Sequence, residues 1–591
     1  MTKKMLLSAN EAVAWAAYRS GCRVAAAYPG TPSTEIMENV AKFDGAINCE
    51  WSVNEKVAME VGVGSSLAGV RTLVAMKHVG LNVAMDPLMT FTNVGAIGGM
   101  VIVNADDPSM HSSQNEQDNR SLAKFARCLL LEAADSQEAF DMVSAGFKLS
   151  EEFQVPVIVR LTTRTSHTST IVDIGSEEQG EADAIPYVKN VQRNVAVPAF
   201  GRLMRYSVEK RSAALRELSE TSEFNRAEPG QTDLGIVASG MAYQHAKEVF
   251  PEYSIFKVGL SYPPPIEKIR AFAADVKKLV CVEESDPVIA DQLRAAGIDV
   301  FEPETELRMM ELNPTRLAAL RAELLGTPAP ALAHTPEEGI PTRPPVLCSG
   351  CTHRGPFHIL SKLKATVCGD IGCYTLGAFP PLNSMDTCIC MGASIGTAFG
   401  MRKAGHPNKR IAAVLGDSTF FHSGMTGLLD VAYNKGAITI VVMDNRITAM
   451  TGHQHNPGTG NTLLGEISTK VKVADVARSF GISRVHELEP YDLEKMEQVF
   501  KECLDCDETA VIVVKGPCVL HEKWAGKFIN EVDPDKCKAC GACFRIGCPT
   551  IVRGEATPDG KRFKAFIDPQ FCTGCNLCAQ VCPFDAISPV K

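Results

Sequence analysis

No window of this 591-residue chain approaches the roughly 18 consecutive apolar residues that a membrane span requires. A signal peptide is not expected either, since Asn10 and Glu11 interrupt the apolar stretch that follows Lys3 and Lys4. Positive charge is in deficit. The formal net charge of −10 argues against an electrostatic grip on nucleic acid or anionic lipid. Internal repetition is missing as well, apart from two runs of cysteine near the C-terminus. Cysteine is what the chain has in quantity. Its 21 cysteines, with no export signal, point to metal binding in a reducing cytoplasm and away from disulfides.

The first run is Cys537, Cys540, Cys543 and Cys548 before Pro549, and the second is Cys572, Cys575, Cys578 and Cys582 before Pro583. Three thiolates two residues apart wrap one cubane cluster, while the cysteine before proline reaches across to the neighbouring cluster. That assigns Cys537, Cys540, Cys543 and Cys582 to one [4Fe-4S] cluster and Cys572, Cys575, Cys578 and Cys548 to the other. Four residues, Phe544 to Gly547, stand where the standard spacing has three, so Cys548 is the weakest of these assignments. The rival is a pair of zinc sites, which rarely place a third cysteine in each run. Exposed clusters of this kind are oxygen-labile, so an anaerobic cytoplasm is the expected setting.

Upstream of the tail, helical and strand patterns alternate, which predicts parallel sheets covered by helices. Residues 1–190 form the first such domain, with a helix over Asn54–Ala68 and strands at Arg23–Tyr28 and Arg71–Met76. Residues 191–230 are charged and read as a connector with some helix, and 231–328 form a smaller α/β domain. A proline-rich linker over 329–345 precedes a third α/β domain at 346–528, and 529–591 is a two-cluster, ferredoxin-like α+β module. The expected fold is thus multidomain α/β, doubly wound, with that module at the C-terminus.

In the third domain the strand Ile411–Leu415 ends in Gly416, Asp417 and Ser418, and the strand Ile438–Met443 ends in Asp444 and Asn445. Parallel strands present such ends to one crevice, where ligands bind. Asp417, the Asn445 amide oxygen and the Ile447 carbonyl would face one magnesium ion, which favours carboxylate and neutral oxygens. Gly416 would let a diphosphate approach the backbone. The pattern resembles the thiamine diphosphate motif, with 25 residues, Thr419 to Met443, between its two parts. Turn dipeptides at ordinary strand ends are the bland alternative. Thiamine diphosphate further needs a carboxylic acid in an apolar setting to hydrogen-bond its aminopyrimidine. Glu55, with Val57, Ala58 and Val61 around it, is the candidate, Glu60 the runner-up, and simple stabilisation of a helix N-terminus the alternative. The turn Tyr28–Glu35 could present Thr31 to a substrate.

With these residues laid out, the chain resembles, end to end, the alpha subunits of indolepyruvate ferredoxin oxidoreductases, an arylpyruvate-oxidising branch of the 2-oxoacid:ferredoxin oxidoreductases. The resemblance rests on Tyr28–Ile36 (YPGTPSTEI), Lys77–Thr90 (KHVGLNVAMDPLMT), Ala105–Asp118 (ADDPSMHSSQNEQD), Gly369–Gly377 (GDIGCYTLG), Asp444–Gln454 (DNRITAMTGHQ) and the cysteine tail. Cys348–Arg354 (CSGCTHR) lacks two expected prolines, and His455 stands where another is expected. The resemblance implies thiamine diphosphate, Mg2+ and the clusters as cofactors, and coenzyme A as co-substrate. It further implies ferredoxin as electron acceptor, a smaller beta subunit as partner, and an arylpyruvate as substrate. It carries Thr31 and Glu55 over as pyrimidine-binding residues. It also implies a third cluster on Cys348, Cys351, Cys373 and Cys518, although Cys368, Cys388 and Cys390 lie near in sequence. His78, His111, His353, His422 and His453 are candidates for the substrate pocket, each nearly as readily a structural histidine. A non-oxidative thiamine enzyme, or a purely electron-transferring subunit, would account for only one half of these features.

Overall fold

A computed structural model of the protein describes residues 3–328, 340, 344–522 and 528–590. The chain divides into two compact units, residues 1–338 and 339–591. In the first, a seven-stranded sheet runs in the order Leu260–Tyr262, Leu129–Glu132, Val157–Thr162, Met100–Asp106, Thr72–Lys77, Val24–Ala27 and Asn48–Trp51. All neighbours pair in parallel except the edge strand Leu260–Tyr262. The central strands are buried along nearly their whole length, as a sheet covered on both faces demands. Between Asn48–Trp51 and Thr72–Lys77 comes the helix Glu55–Leu67. Asn54 caps it from an extended conformation, its side chain accepting from the Val57 N–H at 2.9 Å. The cap fixes where the helix starts, and with it the position of Glu55.

Residues 191–230 hold the expected helix, 24 residues long over Pro198–Thr221, and also a strand that was not expected, Arg226–Glu228. That strand pairs antiparallel with Tyr253–Val258 in a second, four-stranded sheet. Conversely Leu260–Tyr262, expected in the small domain, closes the edge of the large sheet. The charges on the long helix face outward and only Met204, Val208, Leu215 and Ser219 are buried, so its period was hidden. Strands three residues long carry no period at all.

The second unit is built on a six-stranded, wholly parallel sheet. Its order is Thr387–Cys388, Thr366–Gly369, Ile411–Gly416, Thr439–Asp444, Ala510–Lys515 and Arg484–Leu488. The cysteine tail adds two antiparallel pairs, Ile529–Val532 with Ile587–Val590 and Ile551–Ala556 with Phe563–Ile567. The tail is not packed on itself alone. Ile546 and Leu577 are buried in one cluster with Phe357, Leu360 and Met496 of the sheet's helices. Arg354, itself buried, donates to the carbonyls of Ile546, Leu347 and Cys348 at 2.7–2.9 Å. The expected linker 329–345 lies almost entirely outside the described residues. No described helix is long and apolar enough to cross a membrane.

Candidate functional site

Gly416 and Met443 are paired neighbours at the C-terminal ends of adjacent parallel strands. Asp417 follows Gly416 directly and Asn445 stands two positions past Met443, and the two emerge close together. Both are buried. The Asn445 amide oxygen lies 3.2 Å from Asp417 Oδ1 and 2.7 Å from the Ile447 carbonyl oxygen. Magnesium bonded at about 2.05 Å would space adjacent ligand oxygens by about 2.9 Å, which these two separations bracket. Turning the amide would instead let its nitrogen donate to both oxygens. The Ile447 N–H, 3.3 Å from the same amide atom, favours oxygen at that place. Burial, then the nearby Asp444, pushes the Asp417 carboxyl up to about 7. A carboxylate so disfavoured without a counter-ion suits a cation ligand. The donor set fits a magnesium–diphosphate group.

Two supports were not legible in the sequence. Asn456 Nδ2 donates to Asp417 Oδ2 at 3.2 Å, fixing the carboxylate's orientation. Tyr374 lies against Gly416, where a methyl would meet the ring at 2.8 Å, so this glycine has a packing reason of its own. Ser418 accepts from the Thr448 hydroxyl at 2.9 Å. His422 sits in a π-helical turn, Phe420–Gly424, directly after the Asp417 turn.

The tail thiols gather in two sets. Cys578, pushed up to about 12 chiefly by burial, also feels Cys575, Cys548 and Cys572. Cys548 thus sits with the second run in spite of its longer spacing. Cys543, pushed up to about 11 by burial, feels Cys537 and Cys540, and these three line one small cavity together with Cys582. Backbone N–H groups of Asn530 and Ala586 donate to the sulfurs of Cys572 and Cys582, both at 3.4 Å. Among the described residues, no three Cys, His, Asp or Glu side chains stand close enough to share one metal ion.

A third set forms from distant positions. Cys373, pushed up to about 11 chiefly by burial, feels Cys351, Cys518 and Cys348. Cys368 is elsewhere, buried against Met401, and Cys388 and Cys390 lie by Asp370. Tyr491 stands between this set and the second tail set. Its hydroxyl donates to the Gly350 carbonyl at 2.8 Å, and its pKa is raised by burial first and then by Cys575, Cys351 and Cys518. His453 Nε2 lies 3.7 Å from Cys518 Sγ. His353 is buried with both ring nitrogens unpartnered, and burial pushes it down to about 4.

In the first unit Glu55 is buried while Glu60 is nearly half exposed and ion-paired to Lys56, which separates the two candidates. Gly80 makes the room Glu55 occupies, since a methyl there would stand 2.6 Å from Glu55 Cγ. The Thr31 carbonyl accepts from the Ser112 hydroxyl at 3.1 Å. Lys77, unassigned by the sequence reading, joins them. Its Nζ donates to the Ser112 carbonyl at 2.9 Å, and its stem lies 3.1 Å from where a Gly30 methyl would be. Burial pushes its ammonium down to about 8 against the pull of Asp107 and Glu55. His78 is buried and contacts the Asn115 carbonyl, whereas His111 is half exposed beside Glu311 at 3.4 Å.

Three family models match the chain. Residues 15–207 match the thiamine diphosphate-binding region of pyruvate flavodoxin/ferredoxin oxidoreductases. Residues 370–514 match the C-terminal thiamine pyrophosphate-binding domain of thiamine enzymes, and residues 565–588 match a 4Fe-4S binding domain. The indolepyruvate oxidoreductase subunit IorA of Pyrococcus abyssi is 39% identical, over 100% of this chain and 97% of its own length. The Archaeoglobus fulgidus protein of the same name is 38% identical, over 100% and 98%. Among solved structures, a 2-oxoglutarate:ferredoxin oxidoreductase from Magnetococcus marinus is 17% identical. Its TM-score is 0.47 over 55% of this chain and 66% of that one, too loose to bear on the site.

Proposed function

Because the chain belongs to the family of indolepyruvate oxidoreductase IorA subunits, we propose that it oxidatively decarboxylates an arylpyruvate, indolepyruvate or phenylpyruvate, to the aryl-acetyl-CoA and CO2. Family membership makes it a 2-oxoacid oxidoreductase with thiamine diphosphate-binding domains and an iron–sulfur segment. The proposal adds the aryl substrate, coenzyme A as acyl acceptor, external ferredoxin as electron acceptor, Mg2+, and a smaller beta subunit completing a heteromer.

The observation that carries it is the oxygen cradle of Asp417, Asn445 and Ile447 in one compact unit with the three thiol sets. A non-oxidative thiamine enzyme would have no use for the thiols, and an electron carrier none for the cradle. Thiamine diphosphate supplies a carbon nucleophile able to accept the electrons of a departing carboxylate. The protein's part is orientation and charge. Asp417, Asn445 and the Ile447 carbonyl would hold the cation, with Asn456 orienting Asp417. Glu55 would hydrogen-bond the aminopyrimidine. Cys348, Cys351, Cys373 and Cys518 would hold one cluster, with Tyr491 between them and the set of Cys548, Cys572, Cys575 and Cys578, and Cys537, Cys540, Cys543 and Cys582 would hold another. The test is ferredoxin reduction by the anaerobically purified complex with indolepyruvate, phenylpyruvate, pyruvate and 2-oxoglutarate. Reduction that needs coenzyme A and is fastest with an arylpyruvate is expected. A preference for pyruvate would refute the aryl assignment, and decarboxylation without reduction would refute the oxidative one.

A further inference from the structure

Resting on the reading of Glu55 and Thr31 as part of the 2-oxoacid site, we propose that Lys77 is the receptor for the substrate's carboxylate. An ammonium has three donors. Lys77 spends one on the Ser112 carbonyl, and no ion pair joins it to an acid among the described residues. The other buried cations of this sheet are committed. Arg120 is held by Asp118 and Glu283, and Arg160 by Asp106 and Glu132. Asp107 keeps a negative charge near Lys77 but has its oxygens occupied by Ser112, Ser113 and Thr163 at 2.6–3.3 Å. Glu55 adds to the negative field around Lys77.

The placement also fits the task. Ser112 ties the two residues together, its carbonyl taking the Lys77 ammonium and its hydroxyl donating to the Thr31 carbonyl. Gly30, having no side chain, lets the Lys77 stem cross the Thr31 turn. Two donors are thus presented beside Thr31 and Glu55 by a cation stripped of much of its water. Every 2-oxoacid brings one carboxylate, and a lysine binds it as a point charge.

Indole-3-propionate tests this directly, because it has a methylene where indolepyruvate has its keto carbon and cannot react. Tryptophol, uncharged, is the control. Both are titrated calorimetrically into the complete complex loaded with magnesium and thiamine diphosphate. In Lys77→Met, indole-3-propionate affinity should fall roughly 10- to 100-fold, the scale of a charge-assisted hydrogen bond. Tryptophol binding should stay unchanged, and Lys77→Arg should recover most of the loss. Wild-type affinity for indole-3-propionate should also weaken as pH rises through about 8, where Lys77 loses its proton among Asp107, Glu55 and His78. Equal indole-3-propionate affinity in wild type and Lys77→Met would overturn the proposal. So would a parallel loss of tryptophol binding, which would mark Lys77 as structural. If Lys77→Met passes while Glu55→Gln leaves proton exchange on the bound cofactor unaltered, the carboxylate receptor stands and the Glu55 reading falls.

Discussion

Gly80→Ala should disable Glu55 by displacing it, with the glutamate itself unchanged. An added methyl would stand 2.6 Å from Glu55 Cγ, 2.9 Å from its Oε1 and 3.0 Å from Met76 Cβ. Carbon atoms pack at about 3.5–4.0 Å, so the carboxylate arm must retreat by about 1 Å. Two effects on stability compete. Alanine inside the helix His78–Val83 gains about 0.8–1 kcal/mol over glycine. Overpacking of this size costs about 1–3 kcal/mol, so a modest net loss in melting temperature is expected. Function should suffer far more. A displacement of about 1 Å at a reacting group costs on the order of 100-fold in rate. The assay is deuterium exchange at C2 of thiamine diphosphate in the loaded complex, read beside cofactor affinity. Exchange should drop about 100-fold while cofactor affinity holds. Adding Glu55→Asp shortens the arm and should restore melting but not exchange. Wild-type exchange in Gly80→Ala would refute both the clash and the role given to Glu55.

Three further outcomes are expected. Glu55→Gln should lower turnover by about 10²–10⁴-fold with the cofactor still bound, whereas Glu60→Gln, on an exposed ion pair, should be silent; the reverse pattern would exchange their roles. Asp417 must be ionised to hold the cation, and its carboxyl is protonated below about 7. Magnesium-dependent cofactor affinity should therefore fall as pH drops through about 7 and be flat above it, while Asp417→Ala should abolish it; a pH-independent affinity in calorimetry would contradict the ligand assignment. Finally, Cys373→Ala should lose about four irons per chain by metal analysis and leave the tail clusters' paramagnetic signals intact. Unchanged iron would remove the third cluster.

A cut near Asn530 would remove Ile546 and Leu577 from a cluster that includes Phe357 and Met496. The shortened chain would expose apolar surface, so single cysteine substitutions are the cleaner probe of the electron route.

Fold class, the thiamine and cluster motifs and the family were all legible in the sequence, because each rests on local regularities. Parallel strands buried on both faces read as apolar runs, cysteine spacing encodes which thiols can wrap a cluster, and Gly416–Asp417 and Asp444–Asn445 close their strands within two residues. What the sequence could not choose were alternatives separated only by burial or by contacts between distant segments. Glu55 and Glu60 lie on one helix, and only packing makes one buried and the other exposed. Cys348, Cys351, Cys373 and Cys518 compete on paper with Cys368, Cys388 and Cys390 until the sheet draws four of them together. Lys77 looks like any lysine at a strand end until Ser112, some thirty-five positions on, folds back over it. Spacing along a chain fixes local geometry, but desolvation and charge depend on neighbours that arrive from elsewhere, and these are supplied by the tertiary fold alone.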